Sequence, residues 1–268
     1  MPVVDLNGIR LSYQVTGSGE LVVLVMGTGS PGRVWQLHQV PALVAAGYRV
    51  ATVDNRGIPP SDECAGGMTI DDLVGDIAAL IEYLGNGPAR IVGTSLGARI
   101  VQELALARPD RVSQAVMMAA HGRPDPVQSA LSAGERALYD DGIELPPKYY
   151  AAITAMLNLS PRTLNDSPTV QEWLEVFEFS GSRIGAGVRA QLEVEDFPNR
   201  LGAYSRITVP SLVIGFADDL MTPPYLAREV AEAIPEARYE EIEGCGHFGY
   251  LERPAEVNKL LVEFFSST

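Results

Sequence analysis

Short apolar runs alternating with stretches of helical periodicity constrain this chain more than any other feature. Residues 11–15, 21–26, 49–54, 90–92 and 112–119 read as strands, and 21–26 is apolar almost throughout, as a strand covered on both faces requires. Thr69 reads as an N-cap with Asp72 three residues on. Behind it Ile70, Leu73, Ile77, Leu80, Ile81 and Leu84 recur at helical spacing. Strand following helix following strand implies an α/β fold with a mostly parallel central sheet and helices on both faces. The alternation lapses between about residues 123 and 205, where helical stretches at 134–140, 147–157 and 167–179 are separated by Pro, Gly and Asn. Ser167-Pro168 reads as an N-cap followed by proline at the first helical position. The alternation then resumes, with strands at 210–216 and 237–242 and helices at 223–234 and 254–265. The expected organisation is a core domain of residues 1–122 and 206–268, interrupted by a helical lid of residues 123–205.

Composition narrows the partners. A formal net charge of −14 across 268 residues argues against nucleic acid or an anionic membrane as a binding surface. No basic and apolar leader opens the sequence, and no apolar run approaches the roughly 20 residues of a membrane span. Two cysteines, Cys64 and Cys245, form neither a disulfide framework nor a metal-ligand spacing. These features lead us to expect a cytoplasmic monomer or homodimer, without metal or cofactor, acting on a small molecule.

The chemistry is carried by Gly93-Thr94-Ser95-Leu96-Gly97, set between the strand at 90–92 and a helix running from Leu96 to about Ala107. A serine there sits on a sharp strand-to-helix turn with its hydroxyl exposed, and small residues must flank it because the backbone folds back on itself. A serine hydroxyl needs a base, and the base an orienting carboxylate. The chain has three histidines. His247, in the loop between the last strand and the last helix, falls on the same sheet edge as Ser95. His121, after the strand at 112–119, is the runner-up base and a candidate for the pocket wall. His38 precedes a helix near Pro41 and reads as structural. The loop after 210–216 offers two adjacent carboxylates, Asp218 and Asp219. Oxyanion donors are expected from the backbone N–H of Leu96 and from the loop Met26-Gly27-Thr28-Gly29-Ser30, through Thr28. That loop lacks the lysine of a phosphate-binding loop.

Taken together these pieces resemble the α/β-hydrolase superfamily over essentially the whole chain. They are Gly27-Thr28-Gly29, Asp54-Asn55-Arg56-Gly57, the Gly93–Gly97 turn, Val213 to Pro224, and Gly246-His247 followed by Glu252-Arg253-Pro254. The resemblance implies a Ser95, Asp219 and His247 triad, because members commonly place the acid three residues before Thr-Pro, here Thr222-Pro223. Asp218 is second, since Phe216 stands where a glycine is usual and Gly215 is displaced by one. Met26-Gly27 replaces the common His-Gly and resembles aclacinomycin methylesterase-like enzymes, while Pro59 replaces a second glycine after Asp54-Asn55-Arg56-Gly57. A serine at the turn is unlike the aspartate of haloalkane dehalogenases and epoxide hydrolases.

The function implied is a cofactor-independent serine hydrolase acting on an ester, lactone or thioester of a largely apolar small molecule. The alternative is a lyase, cyclase, perhydrolase or C–C bond hydrolase using His247 and the same oxyanion donors, and a binding protein with an idle site is a third class. His121, Met156, Trp173, Phe177 and Phe179 are the expected pocket residues.

Overall fold

The computed structural model describes residues 2–85, 87–181, 184–194 and 196–267. Its strands are β1 (Val3–Leu6), β2 (Ile9–Thr16), β3 (Leu21–Val25), β4 (Arg49–Asp54), β5 (Ala89–Thr94), β6 (Val112–Met118), β7 (Ser211–Phe216) and β8 (Arg238–Ile242). They form one sheet in the order β1-β2-β4-β3-β5-β6-β7-β8. The six strands β3 to β8 run parallel. β1 and β2 close one edge as an antiparallel hairpin, with β2 antiparallel to β4. Asn7 and Gly8 both take positive φ, 49° and 79°, the geometry that a tight hairpin between right-twisted strands demands. β1 escaped the sequence reading because it is four residues long with alternating exposure, a weak signal at an edge.

Side chains alternate across the sheet, so each central strand feeds two cores. Val23 and Val25 of β3 pack on one face with the helices Ile70–Leu84, Leu96–Ala107 and Pro224–Ala233. Val22 and Leu24 pack on the other with Gln39–Ala45 and Pro254–Phe265. The helix Ile70–Leu84 starts where expected: Thr69 and Asp72 exchange side-chain and backbone hydrogen bonds as a capping box.

Among the described residues six helices lie between β6 and β7: Pro126–Asp140, Pro147–Asn158, Pro161–Leu164, Ser167–Ser180, Ala186–Val194 and Leu201–Tyr204. The first begins eight residues before the expected 134, at a proline capped by the Asp125 carboxylate, which accepts from the N–H groups of Val127 and Gln128. The N-cap of Ser167–Ser180 is Asp166, so Ser167 and Pro168 occupy its first turn. Among the described residues no helix is long and apolar enough to cross a membrane.

Candidate active site

Because β3 to β8 are parallel, the loops after β3, β4, β5, β7 and β8 all emerge at one edge, where crevices of such sheets form. Ser95 follows β5 there with φ 55° and ψ −121°, a strained conformation for a residue with a side chain. Its N–H donates to the Met118 carbonyl at 3.0 Å, holding the turn against β6. Close approach explains the neighbouring glycines. A Cβ on Gly93 would lie 2.1 Å from the Gly97 oxygen, and one on Gly97 would lie 2.2 Å from the Val25 oxygen. Gly27 abuts the serine itself: a Cβ there would sit 3.1 Å from Ser95 Cβ and 3.6 Å from Oγ. The loop after β3 therefore lies against the hydroxyl-bearing side chain, with Thr28 next along it.

His247 and Asp219 meet at the same edge. His247 Nδ1 lies 2.8 Å from Asp219 Oδ2, with both residues buried, 7% and 3% exposed. The carboxylate is an acceptor only, so Nδ1 carries the proton and Nε2 is left as the basic nitrogen. Asp219 is held from four sides. Its Oδ1 accepts from the N–H groups of Met221 and Thr222 at 2.8 and 2.9 Å, and Oδ2 also accepts from the Thr222 hydroxyl at 2.8 Å. Thr222 Oγ1 lies a further 3.2 Å from His247 Nδ1. Thr222 thus does more than mark the acid by its spacing: it orients the carboxylate. The Asp218 N–H donates to the Cys245 carbonyl at 3.0 Å, tying the loops after β7 and β8 together. Asp219 is the one whose carboxylate reaches the histidine.

Of the expected pocket residues, Phe179 stands apart. Phe179 is 94% exposed; Trp173 and Phe177, four apart, share the inward stripe of their helix, and Phe179 lies about 200° round from Phe177. Met156 is 50% exposed. Trp173 and Phe177 pack together at 5.4 Å between ring centres, and both lean on Phe248, the residue after His247. His121 is buried, its Nε2 3.2 Å from Gln128 Nε2 and its ring 5.4 Å from Phe197. His38 precedes Gln39–Ala45, and its carbonyl accepts from Asn258.

Three residues to which the sequence assigns no individual role fix the loops. Asn55 Nδ2 donates to the Met26 carbonyl at 2.9 Å. Glu252 accepts from the Gly246 N–H through one oxygen at 2.7 Å. Its other oxygen accepts from the Ser160 N–H and the Ser160 and Thr163 hydroxyls. Gln191, from the helix Ala186–Val194, reaches the loop after β3. Asn55 and Glu252 lie inside stretches the sequence reading quoted, whereas Gln191 carries no local signal. Among the described residues no group of three or more His, Cys, Asp or Glu side chains is placed to hold a metal ion.

This fold, with a strained serine and a carboxylate-bound histidine on one sheet edge, is that of an α/β hydrolase. The chain belongs to the alpha/beta hydrolase family, whose model matches residues 22–260. It is 48% identical over 259 residues to a Mycobacterium tuberculosis protein provisionally named non-heme bromoperoxidase BpoC, covering 97% of this chain and 98% of that one. The BpoC crystal structure superposes with a TM-score of 0.92 at 46% identity over 96% of each chain. A 2-hydroxy-6-oxononadienedioate/2-hydroxy-6-oxononatrienedioate hydrolase of Burkholderia vietnamiensis is 30% identical over 281 residues, covering 98% of this chain and 93% of its own. The enol-lactonase of Burkholderia xenovorans superposes with a TM-score of 0.86 at 25% identity, covering 99% of this chain and all of that one.

Proposed function

We propose that the chain is a cofactor-independent serine hydrolase that opens an ester, lactone or thioester of a largely apolar small molecule. The observation that carries this reading is Ser95, held at positive φ with the Gly27 backbone against its side chain, on the sheet edge where Asp219 orients His247. His247 Nε2 takes the Ser95 proton as Oγ attacks the carbonyl carbon, and the N–H groups of Thr28 and Leu96 receive the oxyanion. Collapse breaks the bond to the leaving alcohol or thiol, which takes the proton from the imidazolium. Water, deprotonated by His247, then releases the acid and restores Ser95. The aromatic packing of Trp173, Phe177 and Phe248 beside His247 suits an apolar substrate, and an enol-lactonase of the same fold supports the ester or lactone class.

A fluorophosphonate probe tests the reading. The expected result is a single adduct mapped to Ser95, absent in Ser95→Ala, with p-nitrophenyl acetate turnover lost by several orders of magnitude. A folded wild type that takes no label overturns it.

The likeness to BpoC favours a second reading of the same acyl-enzyme. Hydrogen peroxide replacing water as acceptor would release a peracid, whose terminal oxygen oxidises bromide. Peroxide-dependent bromination of a phenolic dye, requiring both an acyl donor and Ser95, distinguishes it from simple hydrolysis.

A further inference from the structure

Three consecutive peptide units in the loop after β3 are pinned by groups outside them. The Met26 carbonyl accepts from Asn55 at 2.9 Å. The Gly27 carbonyl accepts from the Ser30 N–H at 3.3 Å, so the N–H of that peptide, which belongs to Thr28, points the opposite way. The third unit, Thr28–Gly29, is held from the helical insertion: the Gly29 N–H donates to Gln191 Oε1 at 2.9 Å. Gln191 is fully buried, and its Nε2 donates to the Arg56 carbonyl at 2.8 Å. One partner is a donor and the other an acceptor, so the amide fits in a single orientation. Gly29 has φ +72°, and the space where a Cβ would stand is bounded by Val188 of the same helix, 3.5 Å away.

We propose that Gln191 is a positioning residue for the oxyanion donor. By fixing the Thr28–Gly29 peptide it sets the rotation about Thr28, and with it the aim of the Thr28 N–H at an oxygen bound to the Ser95 adduct. The insertion is then part of the reaction machinery as well as a cover, because its docking completes the donor pair. This inference rests on the hydrolase reading of Ser95.

The test compares wild type with Gln191→Ala, with Gln191→Leu, which fills the volume without the amide, and with Ser132→Ala. Ser132 Oγ donates to the Leu192 carbonyl at 3.2 Å, beside Arg136 at 3.3 Å, so its loss removes one bond to the same helix without touching the loop. Readouts are the second-order rate of Ser95 phosphonylation, kcat and KM on p-nitrophenyl acetate, and amide exchange of a peptide spanning residues 27–30. Both Gln191 variants are expected to label about 10-fold or more slowly, less than the roughly 10²–10³-fold that follows outright removal of one donor. Their kcat falls in parallel, KM stays within about twofold, and exchange at 27–30 speeds up. Ser132→Ala labels within about twofold of wild type. Wild-type rates in Gln191→Leu, or an equal loss in Ser132→Ala, overturn the inference and leave the hydrolase reading intact. An unlabelled wild type overturns the hydrolase reading, and the role of Gln191 with it.

Discussion

The helical insertion grips the two reactive loops by different means. At the histidine loop it uses charge, backbone and aromatic packing together. The Glu252 carboxylate ties Gly246 to Ser160 and Thr163, the Phe248 N–H donates to the Asn158 carbonyl at 3.1 Å, and Phe248 packs with Trp173 and Phe177. At the loops after β3 and β4 the grip is one neutral amide, Gln191, beside a close backbone approach of Gly187 to Gly57. The histidine side is redundant, so losing one bond leaves the others to hold the ring. The other side has less redundancy, so on the proposed mechanism small displacements there pass to the Thr28 N–H. On that mechanism the first arrangement bears mainly on stability and the second on rate.

Between the two grips, the largest expected effect comes from Gly187→Ala. A Cβ at Gly187 would lie 2.1 Å from the Gly57 oxygen, and Gly57 itself sits at φ +96°, so the backbone pair must separate. Ser95 labelling by a fluorophosphonate is expected to slow more than tenfold, with a loss of about 1–3 kcal/mol in denaturant unfolding. Next is Glu252→Gln, which sets an amide against donors that faced carboxylate oxygens. It is expected to cost about 1.5–3 kcal/mol of stability while labelling slows only a few-fold. If Glu252→Gln slowed labelling as much as Gly187→Ala, the contrast between the two sides would fail. At the bottom is Phe179→Ser, on the exposed outer face of Ser167–Ser180. Stability within about 0.5 kcal/mol of wild type and an unchanged labelling rate are expected. A clear loss of rate would return this residue to the site.

The same contrast governs what could be read from the chain alone. The sheet was legible because its strands are apolar runs closed by turn residues, and Ser95, Asp219 and His247 because chemistry requires those groups after particular strands. Asp219 was separable from Asp218 only through Thr222, whose hydroxyl and N–H both bind the chosen carboxylate. The insertion was legible where proline marked a helix start, as at Pro147. It was opaque at Ala186–Val194, where two glycines flank the start and Ala186, Val188, Ala190, Leu192 and Val194 alternate as in a strand. Gln191 lies there, and nothing in a glutamine's neighbours in sequence announces a partner more than 130 residues away in the chain. Phe179 is expected in the pocket on residue type, whereas helical spacing sets it about 200° from Phe177, on the exposed side.

The left-handed backbone of Ser95 has a consequence for how such a chain would change over generations. A side chain at φ 55° costs on the order of 1–3 kcal/mol that glycine would not incur. Folding alone therefore favours glycine at position 95, a change that one nucleotide can make from some serine codons. In a lineage that no longer used the hydroxyl, drift and selection for stability would push the same way, and the serine would be among the first residues lost.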